Sequence, residues 1–234
     1  MSQPATKVED KKCVLNHEIS HKPDYAFLDV QIPAEQKIMV EGSAMATMSP
    51  NMKMKTKMKG GLGRILTGES LFINEFTAEG TAGSMGIAPA VPGDMDHVFI
   101  DGETVFLQGS SYVASTPEVN VETKFQGIGK GFFSGESLFF IKCSGKGDLW
   151  FNTYGGMLAI DVKDDFVVDT GYVVGFTEGL EYKVESVGGM KSLFFSGEGL
   201  VCRFKGQGKL WIQTRQAPSF VSWVNPFRPV KSKS

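Results

Sequence analysis

From Tyr25 to about Thr214 the chain alternates short apolar runs with Gly, Pro, Asp and Asn, the pattern of short strands punctuated by turns. The clearest alternation spans residues 52–59. Met52, Met54, Thr56 and Met58 fall on one face, and Lys53, Lys55, Lys57 and Lys59 on the other. Val119, Val121, Thr123 and Phe125 alternate in the same way. Leu180, Tyr182 and Val184 take the opposite phase, and a one-residue slip reverses a strand's faces. A bulge is therefore expected near Glu185–Ser186. No window of 11 or more residues holds a 3.6-residue apolar period, so helix is expected to be nearly absent.

The strands repeat. Gly68-Glu69-Ser70-Leu71-Phe72 returns as Gly135-Glu136-Ser137-Leu138-Phe139 and as Gly197-Glu198-Gly199-Leu200-Val201. Each copy follows a lone glycine (Gly42, Gly109, Gly171) by the same interval, and a second glycine (Gly60, Gly127, Gly189) by another. Two matched intervals in three places predict an internal triplication. The units are residues 25–93, 94–156 and 157–216, after a flexible segment 1–24 and before an aromatic and basic tail 217–234. A glycine inside a strand marks a bulge or a corner. Its recurrence predicts a strand that bends from one sheet into another. Units two and three close on Gly145-x-Gly147-x-Leu149-Trp150 and Gly206-x-Gly208-x-Leu210-Trp211, whereas unit one has no tryptophan.

With three repeated glycine turns, the Gly-x-Gly-x-Leu-Trp endings and the glycine-rich β spacing, the chain resembles the altered-inheritance-of-mitochondria-24 family over residues 25–216. The resemblance implies an all-β fold. Three β-sandwich repeats (short double-stranded β-helices) like that of the tryptophan RNA-binding attenuation protein would stand about a pseudo-threefold axis, in a trimer. It also implies a link, in mitochondrial members, to inner-membrane organisation, and it supplies no catalytic residues. Unit one departs from the pattern by its missing tryptophan and is expected to pack differently.

Composition narrows the function. Of 234 residues 28 are glycine, above the usual 7% or so, and the formal net charge of −2 gives no global pull toward nucleic acid. The three cysteines, Cys13, Cys143 and Cys202, are too few and too scattered for a disulfide framework or a zinc site. The N-terminus lacks the apolar core of a signal peptide and no run reaches the length of a membrane span, so a cytoplasmic protein is expected.

Candidate sites are few. Glu69, Glu136 and Glu198 are equivalent by repeat and would form an acidic ring, unless Gly68-Glu69, Gly135-Glu136 and Gly197-Glu198 are plain turns in which glycine supplies φ > 0. Lys53, Lys55, Lys57 and Lys59 make a basic stripe that suits a polyanion or protects a sheet edge. Phe220, Trp223 and Phe227, with Arg228, Lys231 and Lys233, form either a membrane or partner anchor or a cap on the β-core, although three prolines break regular structure in this tail. His17, His21 and His97 are scattered away from Asp, Glu and Cys, and the aspartates 161, 164, 165 and 169 lack the order of a calcium loop. No nucleophile–base constellation, metal ligand set or cofactor motif appears. The expectation is a non-enzymatic oligomeric scaffold, a homotrimer peripheral to a membrane or protein complex. The alternative is a module binding a small ligand or RNA between repeats, with nucleic acid the less favoured ligand.

Overall fold

The computed structural model describes residues 13–59, 71–123, 140–186 and 200–228. Gly68, Glu69, Gly135, Glu136, Gly197 and Glu198 lie outside the described residues. Within them the chain is all-β apart from one short helix and a few 3-10 turns. The first strands are β1 (His17–Ser20), β2 (Phe27–Ile32), β3 (Lys37–Glu41), β4 (Met45–Met48), β5 (Met52–Lys59), β6 (Leu71–Ala78) and β7 (Gly83–Ile87). They are followed by β8 (Met95–Asp101), β9 (Val105–Gln108), β10 (Tyr112–Ser115), β11 (Val119–Thr123) and the long β12 (Phe140–Asn152). The last are β13 (Met157–Val162), β14 (Asp165–Asp169), β15 (Val173–Thr177), β16 (Leu180–Ser186), β17 (Leu200–Gly206) and β18 (Gly208–Gln213), and helix α1 (Ala217–Val224) closes the chain. They form a four-stranded sheet in the order β1-β2-β7-β4, an eleven-stranded sheet running from β13 to β5, and a three-stranded sheet β14-β17-β16.

One set of antiparallel ladders occurs three times. The strand entering the first corner pairs with a later strand as β3 with β6, β9 with β12 and β14 with β17. The other edge of that later strand holds β5, β11 and β16. The register is the same each time. Asn74 lies between Val40 and Thr56, Ile141 between Leu107 and Thr123, and Cys202 between Val168 and Val184. A second set pairs β7 with β2 and β4, β12 with β8 and β10, and β18 with β13 and β15.

The strands that pass the lone glycines do turn corners. Gly42 lies in the turn between β3 and β4, while 3-10 turns at Gly109–Ser111 and Thr170–Tyr172 separate β9 from β10 and β14 from β15. Past each corner the ladder slips by one residue, between Met45 and Thr47, Tyr112 and Ala114, and Val173 and Gly175. The third corner turn starts at Thr170 where the second starts at Gly109, so Gly171 is one residue out of step with Gly109.

That offset removes the bulge expected near Glu185–Ser186. β16 pairs with β17 in unbroken register from Leu180 opposite Gly206 to Ser186 opposite Leu200. Leu180 sits opposite Gly206 as Val119 sits opposite Gly145, so the two strands have the same phase. Three further expectations change. Pairing begins at His17, inside the segment expected to be loose, because Leu15 is buried in the core and β1 pairs with β2. On β5 Met52 is buried but Met54 is 52% exposed, so the expected apolar face is only partly covered. The tail forms helix α1 despite its prolines, with Pro218 in the first turn, where a missing N–H costs no hydrogen bond.

Unit one replaces the tryptophan with Gly86. Gly86 faces Thr47 as Trp150 faces Ala114 and Trp211 faces Gly175. A Cβ on Gly86 would meet the Phe27 ring and the Thr47 hydroxyl, so the aromatic volume comes from a neighbouring strand instead.

Candidate functional site

Sequence separation hid the most tightly built polar cluster. β8 lies against β12 with His97 opposite Trp150, which brings His97 Nε2 within 2.9 Å of Asp148 Oδ1. Asp148 Oδ2 accepts from the backbone N–H groups of Val14 (2.9 Å) and Leu15 (2.8 Å), and Thr116 Oγ1 accepts from the Asp148 N–H. His17, held through Nδ1 at the Leu15 carbonyl, packs tilted against His97 with ring centroids 4.4 Å apart and meets Trp150 edge-on. The expectation that the histidines stand apart from acidic residues is therefore corrected for His97.

A His–Asp pair acts as an acid–base unit only where it can reach a substrate. The side chains of His97 and Asp148 are 2% and 0% exposed. A sealed carboxylate is stable only when its hydrogen bonds are made, and those at Asp148 bind the chain entering β1 to β12. The pair is a clasp.

The corresponding position on the β13–β18 ladder is open. Ala159 faces Trp211 as His97 faces Trp150, and Lys209 precedes Trp211 as Asp148 precedes Trp150. Here a groove of about 530 Å³ is lined by Val98, Phe99, Val105, Ala159, Thr177 and Trp211, with Asp96, Asp101, Glu103 and Lys209 supplying charge and His97 in its wall, the His97 side chain only 2% exposed. Among the described residues the buried Trp211 Nε1 has no hydrogen-bond partner. A smaller hollow of about 100 Å³ lies between units one and two beside Tyr112, Ser115 and Glu75. Nearby, burial pushes the Glu41 carboxyl up to about 7.

The sites expected from sequence spread out. Lys53 and Lys55 are exposed on β5, opposite Thr77 and Glu75, and β5 is the terminal strand of its sheet. Lys57 and Lys59 continue the strand in register, but their side chains lie outside the described residues. Phe220, Trp223 and Phe227 are 48%, 65% and 72% exposed, so they do not cap the core. They form an outward ladder, with centroids 6.0 Å apart from Phe220 to Trp223 and 5.7 Å from Trp223 to Phe227. Its inner end touches Tyr154. Of the aspartates, Asp165 pairs with Arg203, Asp161 lies 4.0 Å from Lys209, and Asp169 accepts from the Gly171 N–H. Among the described residues no group of three potential ligands could hold a metal ion, and no helix is long and apolar enough to cross a membrane.

Fold and site together define an all-β protein assembled by strand pairing, with a sealed clasp at Asp148 and an open groove over Trp211. The chain belongs to the mitochondrial biogenesis AIM24 family, whose model matches residues 17–215. It is 23% identical over 227 residues to an uncharacterised protein of Streptococcus pyogenes serotype M6, across 92% of this chain and 91% of that one. The crystal structure of protein SPYM3_0169 from Streptococcus pyogenes superposes with a TM-score of 0.79 at 22% identity. It covers 92% of this chain and 100% of the other.

Proposed function

We propose that the protein is a non-enzymatic oligomeric scaffold, cytoplasmic and peripheral to a membrane, made of three repeats of one β unit. The recurring ladders and the common 16-residue interval between the strands flanking Asn74, Ile141 and Cys202 support the triplication. The family resemblance suggests a trimer. The observation that carries the scaffold reading is the exposed ladder of Phe220, Trp223 and Phe227, a surface that a monomer in water has no reason to keep. Aromatic side chains beside Arg215 and Arg228 suit the boundary between lipid headgroups and acyl chains.

Co-sedimentation with vesicles of mixed neutral and anionic lipid tests this. The full chain is expected to pellet, and a triple Phe220→Ser, Trp223→Ser, Phe227→Ser variant to stay in the supernatant with its melting temperature unchanged. Equal partition of both proteins would overturn the membrane reading.

A second reading, a module binding a small ligand between repeats, is favoured by the groove over Trp211. Quenching of Trp211 fluorescence by a ligand carried through gentle purification would establish it.

A further inference from the structure

The groove over Trp211 lies at the joint where β15 pairs with β9, Thr177 opposite Val105. Its walls match, position by position, a site that the chain fills with its own residues. Trp211 faces Gly175 past a corner as Trp150 faces Ala114. Across the ladder Ala159 stands where His97 stands. Lys209 takes the place of Asp148. The Lys209 N–H donates to Thr177 Oγ1 at 2.9 Å, as the Asp148 N–H donates to Thr116 Oγ1 at 3.1 Å. On the far wall His97 faces Trp150 and Asp29 faces Gly86, so the residues that follow them, Val98 and Val30, also correspond.

Over Trp150 this space holds a ring. His17 pairs opposite Val30, lies 4.4 Å from the His97 ring centroid and meets Trp150 edge-on at 5.1 Å. Over Trp211 the corresponding space is the groove of about 530 Å³. With alanine in place of histidine at residue 159, it admits a ring at least as large as imidazole. A volume of this size with an apolar floor and a few polar groups suits a small molecule.

Charge selects among small molecules. In and beside the groove four carboxylates, Asp96, Asp101, Glu103 and Asp161, stand against two ammonium groups, Lys146 and Lys209. The negative balance concentrates cations. Glu103 is exposed at the rim, in the loop between β8 and β9. A peptide is the poorer occupant. Asp148 holds the chain over Trp150 by accepting two backbone N–H groups, and Lys209 has no acceptor to offer in its place.

We propose that the groove over Trp211 binds a small aromatic amine. Its flat ring lies against Trp211 and Ala159, where His17 lies against Trp150 and His97, and its ammonium group meets Glu103. This rests on the ligand-binding reading of the groove and names the class of ligand; it does not depend on what helix α1 contacts.

Phenethylamine is the probe, with hydrocinnamate (the same ring, opposite charge) and hexylamine (the same charge, no ring) beside it. In a Trp223→Phe background the remaining indoles are Trp150 and Trp211, and the probes are added at equilibrium. Phenethylamine is expected to change the fluorescence saturably, and the other two to bind about tenfold more weakly. Glu103→Gln is expected to weaken the amine about two- to fivefold. Ala159→Phe, at an exposed position, fills the place of the ring and is expected to abolish the response with the melting temperature retained. Equal binding of hydrocinnamate and phenethylamine, lost in Ala159→Phe, would keep the groove as a ligand site and overturn the amine. No response to phenethylamine, or one unaltered by Ala159→Phe, would also overturn the proposal. The ligand-binding reading itself would then still stand or fall on a molecule that travels with the purified protein.

Discussion

Phe106 and Phe176 face each other directly across the ladder between β9 and β15, their rings stacked at 5.0 Å and 20°. Phe176 also meets Phe140, Tyr182 and Phe204, so one side chain belongs to both the joint and the core of the third unit. Removing it leaves a cavity on both sides of the joint. Phe176→Ala is expected to cost about 3–5 kcal/mol in urea unfolding, with Phe176→Leu retaining most of the stability. A loss below about 1 kcal/mol would mean that the two units hold together by backbone pairing alone.

The clasp at Asp148 makes a local prediction. Its carboxylate receives two backbone N–H groups and lies against His97 in a sealed site, and removing one partner from a buried polar network leaves the others unsatisfied. Asp148→Ala is expected to destabilise the protein by about 2–4 kcal/mol. Amide exchange should rise first in β1, where the chain loses its tether. Unchanged exchange at residues 14–20 would show that β1 is held by β2 alone.

Glu41 fixes the sign of a pH dependence. Burial raises its carboxyl from 4.5 to about 7, so the folded state binds a proton more tightly than the unfolded state. Its contribution is most favourable below about 4.5 and is lost as pH rises to about 7. Glu41→Gln is therefore expected to raise stability at pH 8 by about 1–3 kcal/mol while changing little at pH 4. Denaturant titrations at the two pH values measure this, and an equal effect at both would remove burial of the charge as its cause.

Two glycines of the Gly-x-Gly endings meet the same obstacle. Gly145 has φ 111° and Gly206 φ 106°. A Cβ on Gly145 would stand 2.4 Å from the Glu118 carbonyl oxygen, and one on Gly206 2.2 Å from that of Gly179. Both carbonyls lie on backbone just before a paired strand, so neither has a side chain's freedom to swing away. Gly145→Ala and Gly206→Ala are each expected to lower stability by about 1–3 kcal/mol. An effect much smaller at one site would break the equivalence of units two and three.

Much of the fold is legible in the sequence because its signals are local. Alternation marked the strands, and Gly42, Gly109 and Gly171 marked corners, since a chain that changes sheets needs a residue able to turn there. The misreadings come from a one-residue ambiguity and from long-range pairing. Gly171 looks equivalent to Gly109, but the corner turn starts at Thr170, and that single step inverted the apparent phase of β16. His97 and Asp148 are 51 residues apart and meet only because β8 pairs with β12. Nothing near either residue signals the contact. The Phe220 ladder showed its aromatics plainly, yet apolar character alone does not tell a buried cap from an outward anchor.

A scaffold differs from a ligand-binding module most directly in the assembly of the full chain. Native mass spectrometry of untagged protein, purified gently, is the measurement. It is expected to give an oligomer, a whole-number multiple of the chain with no added mass. A monomeric wild-type chain carrying a bound small molecule would contradict the scaffold and make the groove over Trp211 the functional centre.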